Sequence, residues 1–264
     1  MSPTNKRITL IDLSLLLALN LLAADLVFAQ KRPTGRGREI TFKISVPLEF
    51  KGRVVSGSLR KSEIAGLLEL PVRNGNSDLK EGYGVEMTRP DYARFKVTTC
   101  RQWKKARSEE AYAASTFDMA MESSMIHTCA LLFELQRARL PLKSFVTNPR
   151  VSLADLDLLP ADILSYMPED EEVEKQLGKS TVSEVVAKAD IEKTDDKMIS
   201  LSYGGFHQSI WEAVRADFDG DGVEDILVFT GGRAEGGTMG FSDYFLLTRT
   251  GPTGPLKLIE VRKP

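Results

Sequence analysis

Along residues 39–48 apolar and polar side chains alternate at every step. Ile40, Phe42, Ile44, Val46 and Leu48 interleave with Glu39, Thr41, Lys43 and Ser45. A period of two puts the two sets on opposite faces and predicts a half-buried strand. Val54 to Leu59 can return beside it across a Lys51-Gly52-Arg53 turn, and residues 73–84 (RNGNSDLKEGYG) read as a loop. The spacing then lengthens. Residues 91–107 and 115–139 lack internal Gly and Pro and predict two helices that form a hairpin. In the second, Phe117, Met121, Met125, Cys129, Leu132 and Leu135 recur every three or four residues and draw one apolar stripe. Ser115 with Asp118 supplies a capping signal at its start, and Pro141 closes its end. A stripe with two methionines also suits a flexible binding groove, but packing against a neighbouring element is the plainer reading.

Beyond that hairpin the chain alternates between breakers and short apolar runs. Residues 152–166 predict turns or short helices interrupted by Pro160. Residues 169–174 (EDEEVE) open an acidic stretch that reads as a solvated helix or linker through Lys197. Strand patterns return at Met198–Tyr203, Ser209–Phe218, Asp225–Thr230, Phe241–Arg249 and Leu256–Arg262. Glycine-rich connections occupy 231–240 and 251–255. The expected class is α+β: an N-terminal strand and helical hairpin within 30–168, a linker at 169–197, and a small antiparallel β unit at 198–264. No period of 20 to 50 residues repeats, which argues against a whole propeller or solenoid.

Residues 1–29 set the expected compartment. Lys6 and Arg7 precede an apolar run, Leu13 to Ala24, and Val27-Phe28-Ala29 places small residues where a signal peptidase reads. Asp12, Asn20 and Asp25 interrupt the run, so it falls short of a membrane span. Cleavage after Ala29 and a periplasmic or secreted location follow, with no span left in the mature chain. The formal net charge is −2, and Lys6, Arg7, Asp12 and Asp25 cancel, so cleavage leaves it unchanged. Such a balance gives no basic face for nucleic acid. Only Cys100 and Cys129 are present, and an isolated pair in an oxidising compartment reads as a disulfide. A zinc site is the alternative, for which Cys100, His127 and Cys129 would supply only three ligands.

One segment carries chemistry. Residues 217–225 read Asp-Phe-Asp-Gly-Asp-Gly-Val-Glu-Asp, five acids in nine positions with no basic residue among them. Carboxylates at 217, 219 and 221 can converge on a cation if the chain curls, and Gly220 and Gly222 permit the curl. Calcium, which takes six to eight hard oxygens, suits such a set. An acidic turn without metal is the competing reading. The run resembles the DxDxDGxxD calcium loop of FG-GAP and integrin-type propeller repeats, with Ile226 to Phe229 where that family places its next strand. That resemblance implies Asp217, Asp219, Asp221, Asp225 and the Val223 carbonyl as ligands. It covers about 15 residues and occurs once, whereas propellers carry several copies. A looser likeness links the DFDGDG segment, Gly236-Gly237-Thr238 and the cysteine pair to exported bacterial proteins without an assigned activity.

Motifs for nucleophilic, zinc-protease, phosphate or dinucleotide chemistry are missing from the sequence. His127 falls on the long helix, and His207 follows Gly204-Gly205-Phe206 in an expected turn, where it is the better catalytic candidate. The expected function is an exported, non-catalytic envelope protein with structural calcium, its hairpin available to an envelope protein or glycan. The alternative is a calcium-stabilised envelope hydrolase using acids that the sequence does not single out.

Overall fold

The computed structural model describes residues 39–73, 84–146, 156–165, 181–186, 190–194, 198–237 and 240–259. The expected signal peptide at residues 1–29, most of the acidic stretch 169–197, and Thr238 of the glycine-rich connection lie outside them.

The alternation at 39–48 becomes β1, Thr41–Phe50, with Phe42, Ile44, Leu48 and Phe50 buried on one face. The chain turns at Lys51–Gly52, where φ of +72° suits glycine, and returns as β2, Arg53–Arg60. Pairing runs from Phe50 opposite Arg53 to Thr41 opposite Arg60, with a register shift between Ile44 and Leu48. Helix α1, Lys61–Leu67, follows and buries Ile64 and Leu67.

The expected helix at 91–107 is corrected. Residues Arg94–Val97 form strand β4, paired with β3, Val85–Thr88, which also pairs with β5, Tyr112–Ala113. A helix there would have wrapped Phe95 and Val97 around its axis. Alternation lets Val97 face inward while Arg94 and Lys96 stay in water. Helix α2, Cys100–Ser108, begins only after Thr99, whose hydroxyl accepts from Gln102 N–H at 3.3 Å while the Gln102 side chain accepts from Thr99 N–H. Helix α3, Thr116–Arg137, starts at the expected cap, with Ser115 Oγ accepting from Asp118 N–H at 3.1 Å. Met125, Cys129, Leu132 and Leu135 of its stripe are buried, but Phe117 is 58% exposed because it precedes the part of the helix that meets the core. The Cys100–Cys129 disulfide ties the start of α2 to the middle of α3 across a Cα separation of 5.1 Å. Trp103 Nε1 donates to Glu122 at 2.9 Å beside it, so the buried indole and carboxylate satisfy each other.

After a short 3₁₀ turn at Ala161–Ile163, helix α4, Val182–Val185, and strand β6, Ile191–Thr194, lead into the C-terminal strands. These are β7 (Ile199–Tyr203), β8 (Phe206–Ala216), β9 (Asp225–Ala234), β10 (Gly240–Thr248) and β11 (Lys257–Leu258). Together with β1 and β2 they make one eight-stranded sheet in the order β11-β10-β9-β8-β1-β2, with β7 and β6 branching from β8. One edge of β8 lies along β9. Its other edge is shared: residues 206–210 pair with β7, and Val214 pairs with Ile44 of β1. A register shift between Glu212 and Val214 interrupts the alternation of β8, and Glu212, Ala213 and Val214 are buried in succession.

Both faces of this sheet are covered. Leu227, Phe229 and Leu246 face the core that holds α1, α2 and α3, while Ile226, Val228 and Leu247 face Leu159, Ile163 and Val182. Two-sided burial explains why Ile226 to Phe229 is a continuous apolar run instead of an alternating one. The fold is α+β, with the separate three-stranded β4-β3-β5 sheet beside the large one. Among the described residues no helix is long and apolar enough to cross a membrane.

Candidate metal centre

The acidic segment forms the connection between β8 and β9, closed at its base by the pairing of Ala216 with Asp225. Its curl is built by its own carboxylates. Asp217 Oδ1 accepts from Gly220 N–H at 2.7 Å and Oδ2 from Gly222 N–H at 3.2 Å. Asp219 Oδ1 accepts from Asp221 N–H at 3.0 Å, and Asp221 Oδ1 from Val223 N–H at 2.7 Å. Such short side-chain bonds turn the backbone after each aspartate, which is why this residue type recurs at every second position. Gly220 and Gly222 hold φ of +88° and +84°, the left-handed conformation that a Cβ resists.

Asp217, Asp219 and Asp225 each direct one carboxylate oxygen into a common space, all within 4.8 Å of one another, and can hold a metal ion. Asp217 is 2% exposed and Asp225 fully buried, while Asp219 reaches the surface. Asp225 Oδ2 accepts from Phe218 N–H at 2.8 Å. Its other oxygen, Oδ1, is buried with no hydrogen-bond partner. Burial pushes the Asp225 carboxyl up to about 6, with the Asp219 and Asp221 charges adding to the rise. Thr248 and Phe218 N–H oppose it. Thr248 influences the charge from nearby, but its own buried hydroxyl misses hydrogen-bond geometry. A buried, half-satisfied carboxylate beside two more acids is costly unless a proton or a cation answers it.

The other two residues of the expected set sit differently. Asp221 is exposed and lies outside the three-carboxylate cluster, and Val223 turns its side chain into the core. A neighbour that the sequence did not signal is the segment after α3. Arg139 N–H donates to the Asp217 carbonyl at 2.8 Å, and Asp217 N–H returns a bond to the Arg139 carbonyl at 3.1 Å. Leu142 and Lys143 N–H groups both reach the Gly222 carbonyl, and Glu224 N–H donates to the Lys143 carbonyl at 2.8 Å. Residues 139–143 therefore form a strap along the loop, and nothing local in either stretch announces the pairing.

Neither histidine belongs to this centre. His207 lies in β8 and not in the turn, which Gly204 and Gly205 make with φ of +58° and +77°. Its Nδ1 meets Glu192 at 2.5 Å and Ser202 at 2.9 Å. Both partners use the same nitrogen, so the ring does not bridge a carboxylate to a hydroxyl as a relay requires. His127 is held between the sheet and α3, stacked on Phe229 with centroids 4.4 Å apart and edge-on to Trp211 at 5.0 Å. Its Nε2 lies 2.6 Å from Ser242 Oγ. Burial pushes its pKa down to about 4 against the opposing Thr230 backbone group. A base that weak is poorly matched to proton transfer near neutral pH, and the contact fixes α3 on β9 and β10. Cys100 and Cys129 are joined to each other, which corrects the alternative of a zinc site with His127.

No family model, curated protein or solved structure matches the chain.

Proposed function

We propose that the protein is an exported, non-catalytic calcium-binding protein of the bacterial envelope, in which the ion has a structural role. The observation that carries this reading is the cluster of Asp217, Asp219 and Asp225, in which Asp225 is fully buried and its Oδ1 has no hydrogen-bond partner. An all-oxygen set with no histidine or cysteine beside it favours a hard cation over zinc or copper. Calcium tolerates an irregular set of oxygens, whereas magnesium demands a strict octahedron. The resemblance to FG-GAP loops supports Asp221 and the Val223 carbonyl as the remaining protein ligands. The leader-like residues 1–29 and the disulfide support a periplasmic or secreted location. A fixed β8–β9 hairpin would then be available to an envelope protein or glycan.

Calorimetric titration with calcium, and with magnesium as control, tests the proposal. One calcium ion per chain is expected, with binding lost in Asp225→Asn and in Asp219→Ala. Absence of calcium binding by the folded protein overturns it.

A further inference from the structure

We propose that the strap and loop together form a calcium-gated docking face for an anionic phospholipid bilayer. This inference rests on the calcium reading above. The strap reads Arg139-Leu140-Pro141-Leu142-Lys143, two leucines enclosed by two cations. Leu142 is 91% exposed and Leu140 49% exposed. They are not on a loose tail. Five backbone hydrogen bonds between residues 139–143 and Asp217, Gly222 and Glu224 hold the strap to the loop. The Leu142 side chain stands over Gly222, and the Arg139 guanidinium stands over Gly220. Among the described residues neither Arg139 nor Lys143 is in an ion pair.

A rigid backbone presenting two leucines to water, with a cation on either side, is complementary to a bilayer interface. The leucines enter the acyl boundary, and the cations stay level with the lipid phosphates. Charge supplies both the choice of lipid and the gate. Glu224, the fifth acid of the loop, is answered by Arg215 at 3.6 Å. The other four loop carboxylates, Asp217, Asp219, Asp221 and Asp225, outnumber the two strap cations, so without an ion they leave this end of the molecule net negative by two. An anionic surface repels it. One divalent cation cancels that excess, and Arg139 and Lys143 are then attracted to the phosphates without opposition.

The test uses chain recovered soluble after export, sedimented with vesicles of phosphatidylcholine alone or mixed with phosphatidylglycerol. Binding to the anionic vesicles in millimolar calcium is expected to fall roughly tenfold on chelation, and phosphatidylcholine alone should capture little. Leu142→Ser should strongly weaken calcium-dependent sedimentation while keeping the calcium-dependent rise in melting temperature, because it removes the exposed apolar side chain without adding a charge beside the loop. Equal sedimentation of Leu142→Ser and wild type, or equal binding to both vesicle types, overturns the inference. A calcium-raised melting temperature without vesicle binding overturns it too, and leaves structural calcium standing. If calcium changes neither, both readings fall together.

Discussion

Cys100–Cys129 and the Asp217–Asp225 loop each join two elements, and they do so by opposite physics. The disulfide sits where the chain is already packed: both cysteines are fully buried beside Trp103, Met125 and Leu132, within the core that α3 shares with the sheet. The bond restricts the unfolded chain and asks nothing of the solvent. The loop joins β8 to β9 through groups that repel one another. Its Asp225 has a buried oxygen with no hydrogen-bond partner, and its Asp217, Asp219 and Asp225 carboxylates could hold a metal ion. One cross-link is covalent and indifferent to ions. The other would answer to a bound cation, to which the disulfide is insensitive.

The largest effect tests the covalent side. Replacing Cys100 and Cys129 by Ser opens a closure spanning 29 residues and should cost about 3.5 kcal/mol on the chain-entropy model. Urea denaturation with and without chelator should show the same loss in both. A loss that shrinks when calcium is removed would mean that the two cross-links are coupled.

Acidification tests the helical layer a second way, through His127. Its pKa is pushed down to about 4 in the fold, from an ordinary value near 6.5. The unfolded chain therefore binds the proton more readily, and the stabilisation is fully present above pH 6.5. It is lost as pH falls from about 6.5 through about 4, by on the order of 3 kcal/mol. The groups facing the ring from its cleft include Glu49 and Arg73, which pair with each other at 3.3 Å. His127→Gln isolates the histidine, because glutamine can still meet Ser242. The variant should lose most of the slope in that window, and parallel pH–stability curves would contradict the assignment.

How far these features were readable in the sequence depends on how local their causes are. Helix α3 was legible because its period and its Ser115 cap lie within the segment itself, although it ends at Arg137, before the Pro141 stop is reached. The acidic loop was legible for the same reason: Asp217, Asp219 and Asp221 each bond a backbone N–H two to five positions on. Strand β4 was not, because 91–107 lacks breakers, and only pairing with β3 fixes Arg94–Val97 as extended. The insertion of β1 beside β8 was not legible either, since Ile44 and Val214 meet across most of the chain with no pattern shared between them. The strap escaped notice because its bonds to the loop are all backbone bonds, which carry no side-chain signature. Burial of Asp225 has the same origin. It follows from Thr248 and the covered face of the sheet, not from its neighbours in sequence.

Calcium itself ranks next in size. At a hundredfold excess over its dissociation constant the ion should raise stability by about 2.7 kcal/mol. Thermal melts in chelator and in millimolar calcium measure this, and Asp219→Ala should make the two midpoints coincide. The gain should persist in the double serine variant, since the loop and the disulfide sit in different parts of the fold. Equal midpoints for the wild type would identify the segment as an acidic turn held by its own hydrogen bonds.

The smallest effect comes from the loop's backbone and separates strain from ligation. Gly222 has φ of +84°, and a Cβ placed there would meet Leu142 Cδ1 at 3.4 Å. Leu142 is almost wholly exposed and can swing away, so the contact itself is cheap. The left-handed backbone is not, and alanine there should cost about 1 kcal/mol. Gly222 also supplies the N–H that reaches Asp217 Oδ2 and the carbonyl that receives Leu142 and Lys143. If alanine makes the residue leave that conformation, the Asp217 carboxylate loses a donor and the strap loses its anchor at once. Gly222→Ala should therefore lower the melting temperature in chelator and weaken calcium binding together. Gly57, with φ of +74° and open space around it, provides the comparison. Gly57→Ala should lower the melt by a similar amount and leave calcium affinity unchanged, because that strain lies in β2, remote in sequence from any carboxylate of the cluster. If both variants bind calcium like the wild type, the curl at Gly222 is not what brings the carboxylates together.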